Sequence, residues 1–215
     1  RPKSSAASDV YKRQIDNLTL FAFSTENWGR EEREVKALLK LFLEAINEQT
    51  PDLVKNKVKL NFIGEISRFD KVLMNKIKNS QIKTSQYDPK MNLNIARSYG
   101  GRWDIEQALK KIIKDLLKNK IKIKNLSEDL ISNYLSTSSI PDPDLIIRSA
   151  GEQRISNFFL WQAAYSEMYF IKKLWPDFIE KDFQDSLDEF SLRKRKFGVE
   201  TCLLYTSPSP RDGRE

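Results

Sequence analysis

Residues 148–170, RSAGEQRISNFFLWQAAYSEMYF, place charged and hydroxyl-bearing side chains inside an otherwise apolar stretch. A buried charge costs free energy unless it meets a partner. Guanidinium groups match phosphate oxygens bidentately, a serine adds a hydroxyl donor, and Mg²⁺ takes carboxylates together with phosphates. The pattern therefore favours a diphosphate site beside a hydrophobic channel. The carboxylate of Glu167 could instead pair with an arginine in the core. The side chains in question are Arg148, Arg154, Ser156 and Glu167.

Three polar clusters follow predicted strands: STENWGR (24–30), ARSYGGRWD (96–104) and RSAGEQRISN (148–157). In open α/β sheets, ligands bind outside the carboxyl ends of the strands. We therefore expect the three clusters to converge in space and to form one anion-binding rim.

Each polar or aromatic residue of these clusters also has a structural explanation when taken alone. Short polar residues cap helices, large aromatic side chains anchor cores, and paired glycines form turns. Only the joint presence of Arg30 with the two later arginines and Ser156 shifts the balance towards phosphate binding. The structural alternatives apply to Asn27 and Asp104 as caps, Trp28 and Trp103 as core anchors, and Gly100–Gly101 as a turn.

Strand and helix patterns alternate along the chain, which predicts βαβ units in a single α/β domain, with a mostly parallel sheet covered by helices on both faces. The predicted strands are NLTLFAFS (17–24), VKLNFIG (58–64), MNLNIARS (91–98), LIIRS (145–149) and one starting at EMYFI (167–171). The first predicted helix contains Val35 to Ile46, and Pro51 limits its end. The second contains Val72, Leu73 and Ile77 on one side, and the third runs from Ile105 to Leu116. A short helix capped by Ser127, a packed helix at FLWQAAY (159–165) and a last helix from about Ile179 follow.

The ends of the chain differ from its middle. Residues 1–14 and 201–215 lack periodicity and are interpreted as non-native tails around a domain at 15–200. The first tail carries +3 of the total charge of +7, which leaves a diffuse +4. The single cysteine suits a reducing, cytoplasmic setting, and no apolar run is long enough to span a membrane. A nucleic-acid-binding module lacks a recognised motif here, so no nucleic-acid partner is expected.

The first predicted strand looks central rather than peripheral, so an element is expected upstream of Ile15. Four segments then closely resemble the cis-prenyltransferase family: FAFSTENWGR, NIARSYGGRWDI, PDPDLIIRSAGEQRISNFFLWQAAYSEMYF and WPDF. The resemblance covers about residues 15–200. It implies repeated cis condensation of isopentenyl diphosphate with an allylic diphosphate such as farnesyl diphosphate. The implied product is a long-chain polyprenyl diphosphate for the cell-wall lipid carrier. The resemblance also implies Mg²⁺, a homodimer, a hydrophobic tunnel, and peripheral membrane contact through the product.

The resemblance also implies residue roles. Asn27 matches the position of the catalytic amide; because an amide is a very weak base, we expect it to orient substrate or water while a phosphate oxygen takes the proton. Glu167 matches a metal ligand supplied across the dimer. The substrate-binding positions implied by the motifs are Ser24, Thr25, Glu26, Trp28 and Arg30 beside the reacting ends, and Arg148, Arg154, Ile155 and Ser156 around the isopentenyl diphosphate group.

Two departures from the family pattern matter. The family opens with a strand and a loop reading Met-Asp-Gly-Asn-Gly-Arg-Trp-Ala, whose aspartate binds Mg²⁺, and nothing similar occurs here. The chain is therefore interpreted as a fragment without its first strand, loop and helix, and is expected to be poorly active. The chain also lacks histidine, and Gln153 stands where some relatives carry one. The alternative is a non-catalytic partner subunit of a heteromeric prenyltransferase, although such subunits usually lose much of the 24–30 cluster.

Overall fold

The computed structural model describes residues 15–194. Its strands pair in parallel and form two sheets, one with three strands in the order β1-β3-β2 and one with two, β4-β5. All the described pairs agree with the predicted parallel architecture, although the hydrogen-bonded ladder is divided into two parts. The strands are β1 Asn17–Ser24, β2 Val58–Ile63, β3 Met91–Tyr99, β4 Leu145–Arg148 and β5 Glu167–Phe170.

Strand β3 organises the core because its side chains reach both faces of the three-stranded sheet. Leu93 lies opposite Leu18 of β1 and Leu60 of β2, and this face packs against Phe183 of the last helix. Ala96 points the other way and packs with Phe159. Helices and turns thus cover both faces, as predicted. The helices are α1 Glu32–Lys55, α2 Lys71–Thr84, α3 Gly101–Leu117, α4 Glu128–Tyr134 and α5 Glu180–Leu192.

The prediction that Pro51 limits the first helix is wrong. Helix α1 continues through Pro51 to Lys55, because buried residues before the proline and the partly buried Leu53 after it pack against the core. Ile46 and Thr50 are buried, and the Thr50 hydroxyl donates to the Ile46 carbonyl at 2.6 Å. In α2 the apolar face is also narrower than expected, since Val72 is 60% exposed while Ile77 is fully buried.

The predicted helix at 159–165 is wrong as well. This stretch is a series of turns, because Ser156, Asn157 and Phe159 have φ values of 49°, 61° and 42°, in the left-handed region. Such values interrupt a right-handed helix. The turns are held by backbone hydrogen bonds, including Ala163 N to Phe159 O at 3.0 Å.

Two further expectations, the non-native tails and the element upstream of Ile15, stay predictions. The proposed tails at 1–14 and 201–215 lie outside the described residues. Strand β1 begins at Asn17 and pairs with β3, forming an edge of the three-stranded sheet as described. No helix within residues 15–194 combines the length and apolarity that a membrane crossing requires.

Candidate functional site

The carboxyl ends of β1 and β3 lie side by side, with Ser24 opposite Tyr99. The chain leaves β1 in a 3₁₀ turn at Thr25–Gly29 and leaves β3 directly into α3. Because the strands are parallel, the first two polar clusters start from the same edge of the sheet.

The third cluster reaches this edge through Asn157. Its carbonyl accepts a hydrogen bond from Gly101 N at 2.6 Å, and its Oδ1 accepts one from Arg102 N at 3.0 Å. A Cβ atom on Gly100 would lie 2.5 Å from Thr25 Oγ1 and 2.7 Å from Asn157 Nδ2. A side chain at position 100 would therefore displace the Thr25 or Asn157 side chain, so Gly100 does more than form a turn.

Glu26 is exposed and accepts a hydrogen bond from Asn157 Nδ2 at 2.7 Å. Its Oε2 accepts a second one from Thr25 Oγ1 at 3.1 Å. Partial burial disfavours the charged form, but hydrogen bonds from Asn157, from the Glu26 backbone and from Ser24 and Thr25 outweigh it. The pKa of Glu26 therefore lies below its ordinary value. This carboxylate is ionised at neutral pH and belongs to the connection between two clusters.

Asn27 is half-buried, and its Oδ1 accepts a hydrogen bond from the backbone N–H of Ser24 at 2.8 Å. This is the local capping role that the structural alternative predicted. The catalytic role implied by the resemblance stays a prediction.

Trp28 acts as a core anchor. Its ring packs edge-on against Phe23, with centroids 5.2 Å apart. The ring of Phe69 lies at a tilt to it, with centroids 5.9 Å apart. The guanidinium of Arg68 stacks over the indole at 4.5 Å from its centroid, a cation–π contact at the surface. The indole thus fixes the orientation of the 24–30 turn.

The predicted arginines lie in different surroundings. Arg30 and Arg154 are exposed, and each forms an ion pair within its own segment, with Glu34 and Glu152 respectively. Arg148 is half-buried at the end of β4, and its Nε is buried without a hydrogen-bond partner among the described residues. Exposed ion pairs are weak and readily exchanged for an anionic ligand. That these guanidinium groups together bind one diphosphate stays a prediction.

The remaining residues of the third cluster lie on the same turn. Ile155 is half-buried and its carbonyl accepts from Phe158 N at 3.0 Å, while Ser156 is exposed with its left-handed backbone. The other end of this cluster is tied to the segment after β5, where Gly151 N donates to Ile171 O at 2.9 Å. The loop from 148 to 157 is therefore anchored at both ends.

Glu167 opens β5 and forms a half-buried ion pair with Arg193 at 2.9 Å. Arg193 also donates to the Met168 carbonyl at 2.9 Å. Within residues 15–194 no three histidine, cysteine, aspartate or glutamate residues are grouped in a way that could hold a metal ion. A single carboxylate that already has a cationic partner is not by itself a complete Mg²⁺ site.

A buried polar network was missed by the sequence reasoning, which treated Asp104 as a helix cap at most. Asp104 is 1% exposed and accepts from Tyr99 Oη at 3.1 Å, from Ser136 N at 2.7 Å and from Gln162 Nε2 at 3.3 Å. Burial, together with the negative charge of Asp104, raises the pKa of Tyr99 far above its ordinary value. The network joins α3 to the turns at 156–165.

Arg97 belongs to the 96–104 cluster that was expected at the rim, but its burial was missed, because the adjoining sequence does not distinguish it from a surface arginine. It is 2% exposed, and its Cζ lies 3.6 Å from the ring centroid of Phe42, with Phe23 and Phe69 at 5.2 and 5.1 Å. Its Nε and Nη2 have no hydrogen-bond partner among the described residues, and burial lowers the pKa of Arg97 to about 9.

Comparison with known proteins adds independent information. The family profile described as "Putative undecaprenyl diphosphate synthase" matches residues 4–198. The chain is 44% identical over 194 residues to a ditrans,polycis-undecaprenyl-diphosphate synthase ((2E,6E)-farnesyl-diphosphate specific) of Photorhabdus laumondii, covering 90% of this chain and 76% of the relative. It is 48% identical over 197 residues to the protein of the same description from Buchnera aphidicola, covering 90% and 78%.

Two solved structures are similar over most of their length. The lavandulyl diphosphate synthase from Lavandula x intermedia, in complex with dimethylallyl diphosphate, superposes with a TM-score of 0.87 at 34% identity, covering 90% of this chain and 84% of that one. A "probable undecaprenyl diphosphate synthase" from Campylobacter jejuni gives a TM-score of 0.79 at 34% identity, covering 90% and 88%.

Proposed function

Because the chain belongs to the undecaprenyl diphosphate synthase family of prenyltransferases, we propose that it condenses isopentenyl diphosphate with an allylic diphosphate and repeats the step to build a long cis-polyprenyl diphosphate. The observation that carries this proposal is the match along nine-tenths of the chain to farnesyl-specific undecaprenyl-diphosphate synthases. Farnesyl diphosphate is therefore the proposed primer, and the lipid carrier of cell-wall synthesis is the proposed use of the product.

The proposed reaction needs anion binding and close placement more than side-chain chemistry. The allylic C–O bond breaks, diphosphate leaves with the electron pair, and the alkene of isopentenyl diphosphate forms the new C–C bond. A proton then leaves the former alkene for a phosphate oxygen. Arg148, Arg154 and Ser156 would hold the isopentenyl diphosphate group, and positive charge at the rim would stabilise the departing diphosphate. Asn27 would orient the alkene next to the allylic carbon.

We also propose that the protein binds Mg²⁺ and forms a homodimer. Mg²⁺ would be held by Glu167 together with substrate phosphate oxygens, and it would supply charge neutralisation for the leaving group. Glu167 alone does not complete such a site, because the described residues 15–194 hold no group of three potential metal ligands. Several large apolar residues of the segment around β5 are exposed, which supports a contact with a second copy: Phe170, Leu174, Trp175 and Ile179.

A non-catalytic partner subunit is the second reading. The intact 24–30 cluster and the names of the relatives favour the enzyme.

A single-turnover assay tests the proposal. The chain is incubated in excess over farnesyl diphosphate with ¹⁴C-labelled isopentenyl diphosphate and Mg²⁺, so that even slow condensation is visible. We expect labelled products longer than the primer by one or more five-carbon units, and none after chelation of the metal. A folded chain that yields no extended product at any enzyme concentration contradicts the enzymatic assignment.

A further inference from the structure

Asn157 connects all three clusters of the site. Its Nδ2 donates to Glu26 of the 24–30 turn at 2.7 Å, and its Oδ1 and carbonyl accept from Arg102 N and Gly101 N at the start of α3. Asn157 itself follows directly after the 148–156 loop. One side chain therefore fixes the spacing between two loops that are remote in sequence.

The backbone at Asn157 suits this role. Its φ of 61° lies in the left-handed region, which asparagine tolerates better than most residues other than glycine. The next two residues are anchored in the core: the rings of Phe158 and Phe159 stack at 4.0 Å, and both pack edge-on against Tyr99. The position of Asn157 is thus determined by packed aromatic side chains rather than by the exposed loop before it.

The side chain at 157 must donate and accept at the same time. The two N–H groups that it and its carbonyl satisfy are among those at a helix start that have no partner within the helix. An aspartate would keep the bond from Arg102 N but would place a second carboxylate against Glu26. A glycine would keep the backbone conformation and lose both side-chain bonds.

We infer that Asn157 is a positioning residue that sets the distance between the 24–30 turn and the 148–156 loop, and thereby the distance between the two reacting carbons. The inference rests on the proposed function, in which the first segment lies beside the reacting ends and the second holds isopentenyl diphosphate. A misplacement of about 1 Å in such a reaction costs on the order of 100-fold in rate.

A donor–acceptor exchange tests the inference. Asn157→Asp and Glu26→Gln are made singly and together; in the double variant the glutamine amide donates to the aspartate, which restores the bond with its polarity reversed. We expect Asn157→Asp to lower kcat by about 10- to 100-fold with a smaller change in KM. The double variant should regain at least about tenfold over Asn157→Asp. Losses that simply multiply in the double variant overturn the inference.

The pH profile separates positioning from a general loss of structure. In Asn157→Asp, the two adjacent carboxylates raise each other's pKa, so one takes up a proton as the pH falls and can then donate to the other. Activity of this variant relative to wild type should therefore rise between about pH 7 and pH 5, and the double variant should not show this rise. A flat ratio in Asn157→Asp contradicts the proposed contact.

Amide hydrogen exchange without substrate separates a failure of this inference from a failure of the proposed function. Asn157→Gly should speed exchange of the Arg102 amide by at least about tenfold, while Asn157→Asp leaves it slow. If wild type shows no condensation but the exchange pattern holds, the function is wrong and the connection between the loops stands. If exchange at Arg102 is unchanged in Asn157→Gly, the connection itself is wrong.

Discussion

The indole Nε1 of Trp28 donates a hydrogen bond to Oγ of Ser98 at 2.8 Å, across 70 positions of sequence. Ser98 is fully buried at the end of β3, so this bond fastens the 24–30 turn to the edge of the sheet.

Ser98→Ala tests the contribution of this bond. The indole N–H would lose its acceptor in a partly buried position, and we expect the free energy of unfolding to fall by about 1–2 kcal/mol. Urea denaturation measures it. Ser67→Ala is the matched control, because the exposed Ser67 hydroxyl donates to Glu65 at 3.3 Å on the surface, and its effect should stay within about 0.5 kcal/mol. Equal losses in the free energy of unfolding for the two variants would show that the Trp28–Ser98 bond does not fasten the turn to the sheet.

Gly100→Ala tests the close approach of the three segments. The added methyl group would meet the Thr25 and Asn157 side chains within 2.7 Å, so these side chains must move and the Asn157 amide would be displaced, and we expect a loss of about 1–3 kcal/mol by thermal or urea unfolding. Gly29→Ala is the steric control, since no atom of the described part of the chain lies within 4 Å of a Cβ there. Stability of Gly100→Ala equal to that of Gly29→Ala would show that the segments are not in contact.

Arg97→Met should stabilise the protein. Two nitrogens of the buried guanidinium have no hydrogen-bond partner within residues 15–194, so it keeps much of its desolvation cost, while methionine would retain contact with the three phenylalanine rings. We expect a gain of about 1–3 kcal/mol near neutral pH.

The stabilising effect of Arg97→Met should also depend on pH. Burial lowers the pKa of Arg97 in the folded protein to about 9, well below the ordinary value that the unfolded chain keeps. Between these values the unfolded chain binds more protons, so wild-type stability rises with pH. The advantage of the methionine variant should thus be constant below about pH 9 and shrink above it. A destabilised variant at neutral pH would mean that Arg97 has an anionic partner.

Asp104→Asn tests the buried network. The amide would direct an N–H towards groups that already donate, so we expect a loss of about 2–3 kcal/mol in urea unfolding. Tyr99→Phe removes one donor only and should cost less, and the two changes should be strongly non-additive because they share one bond. Additive losses would show that the hydroxyl and the carboxylate stabilise the fold independently.

The strands were predictable from sequence because β-branched and apolar runs such as 17–24 and 58–63 can be buried only in a sheet. The turns at 156–165 were not, since the run FLWQAAY has helical composition, and the left-handed φ values that prevent a helix follow from the packing of Phe158 and Phe159. Local pattern also favours an end at Pro51, where burial of Thr50 overrides it.

The site was predictable in its parts and not in its connections. Polar clusters after strands mark the rim, because parallel strands end at one edge. Which side chains join the clusters depends on distances of a few ångströms between residues such as Glu26 and Asn157, 131 positions apart. The burial of Arg97 depends on rings from β1, α1 and the turn before α2, so no local signal could mark it.

The arginines of the 148–156 loop are proposed to hold diphosphate. Isothermal calorimetry of isopentenyl diphosphate binding tests it most directly, with wild type, Arg148→Ala, Arg154→Ala and the charge-matched control Lys120→Ala. Lys120 lies just beyond the end of α3, whose start is at the rim. We predict that each arginine variant weakens binding by about 30-fold or more, while Lys120→Ala leaves the Kd unchanged. The same Kd in all four proteins would contradict the claim.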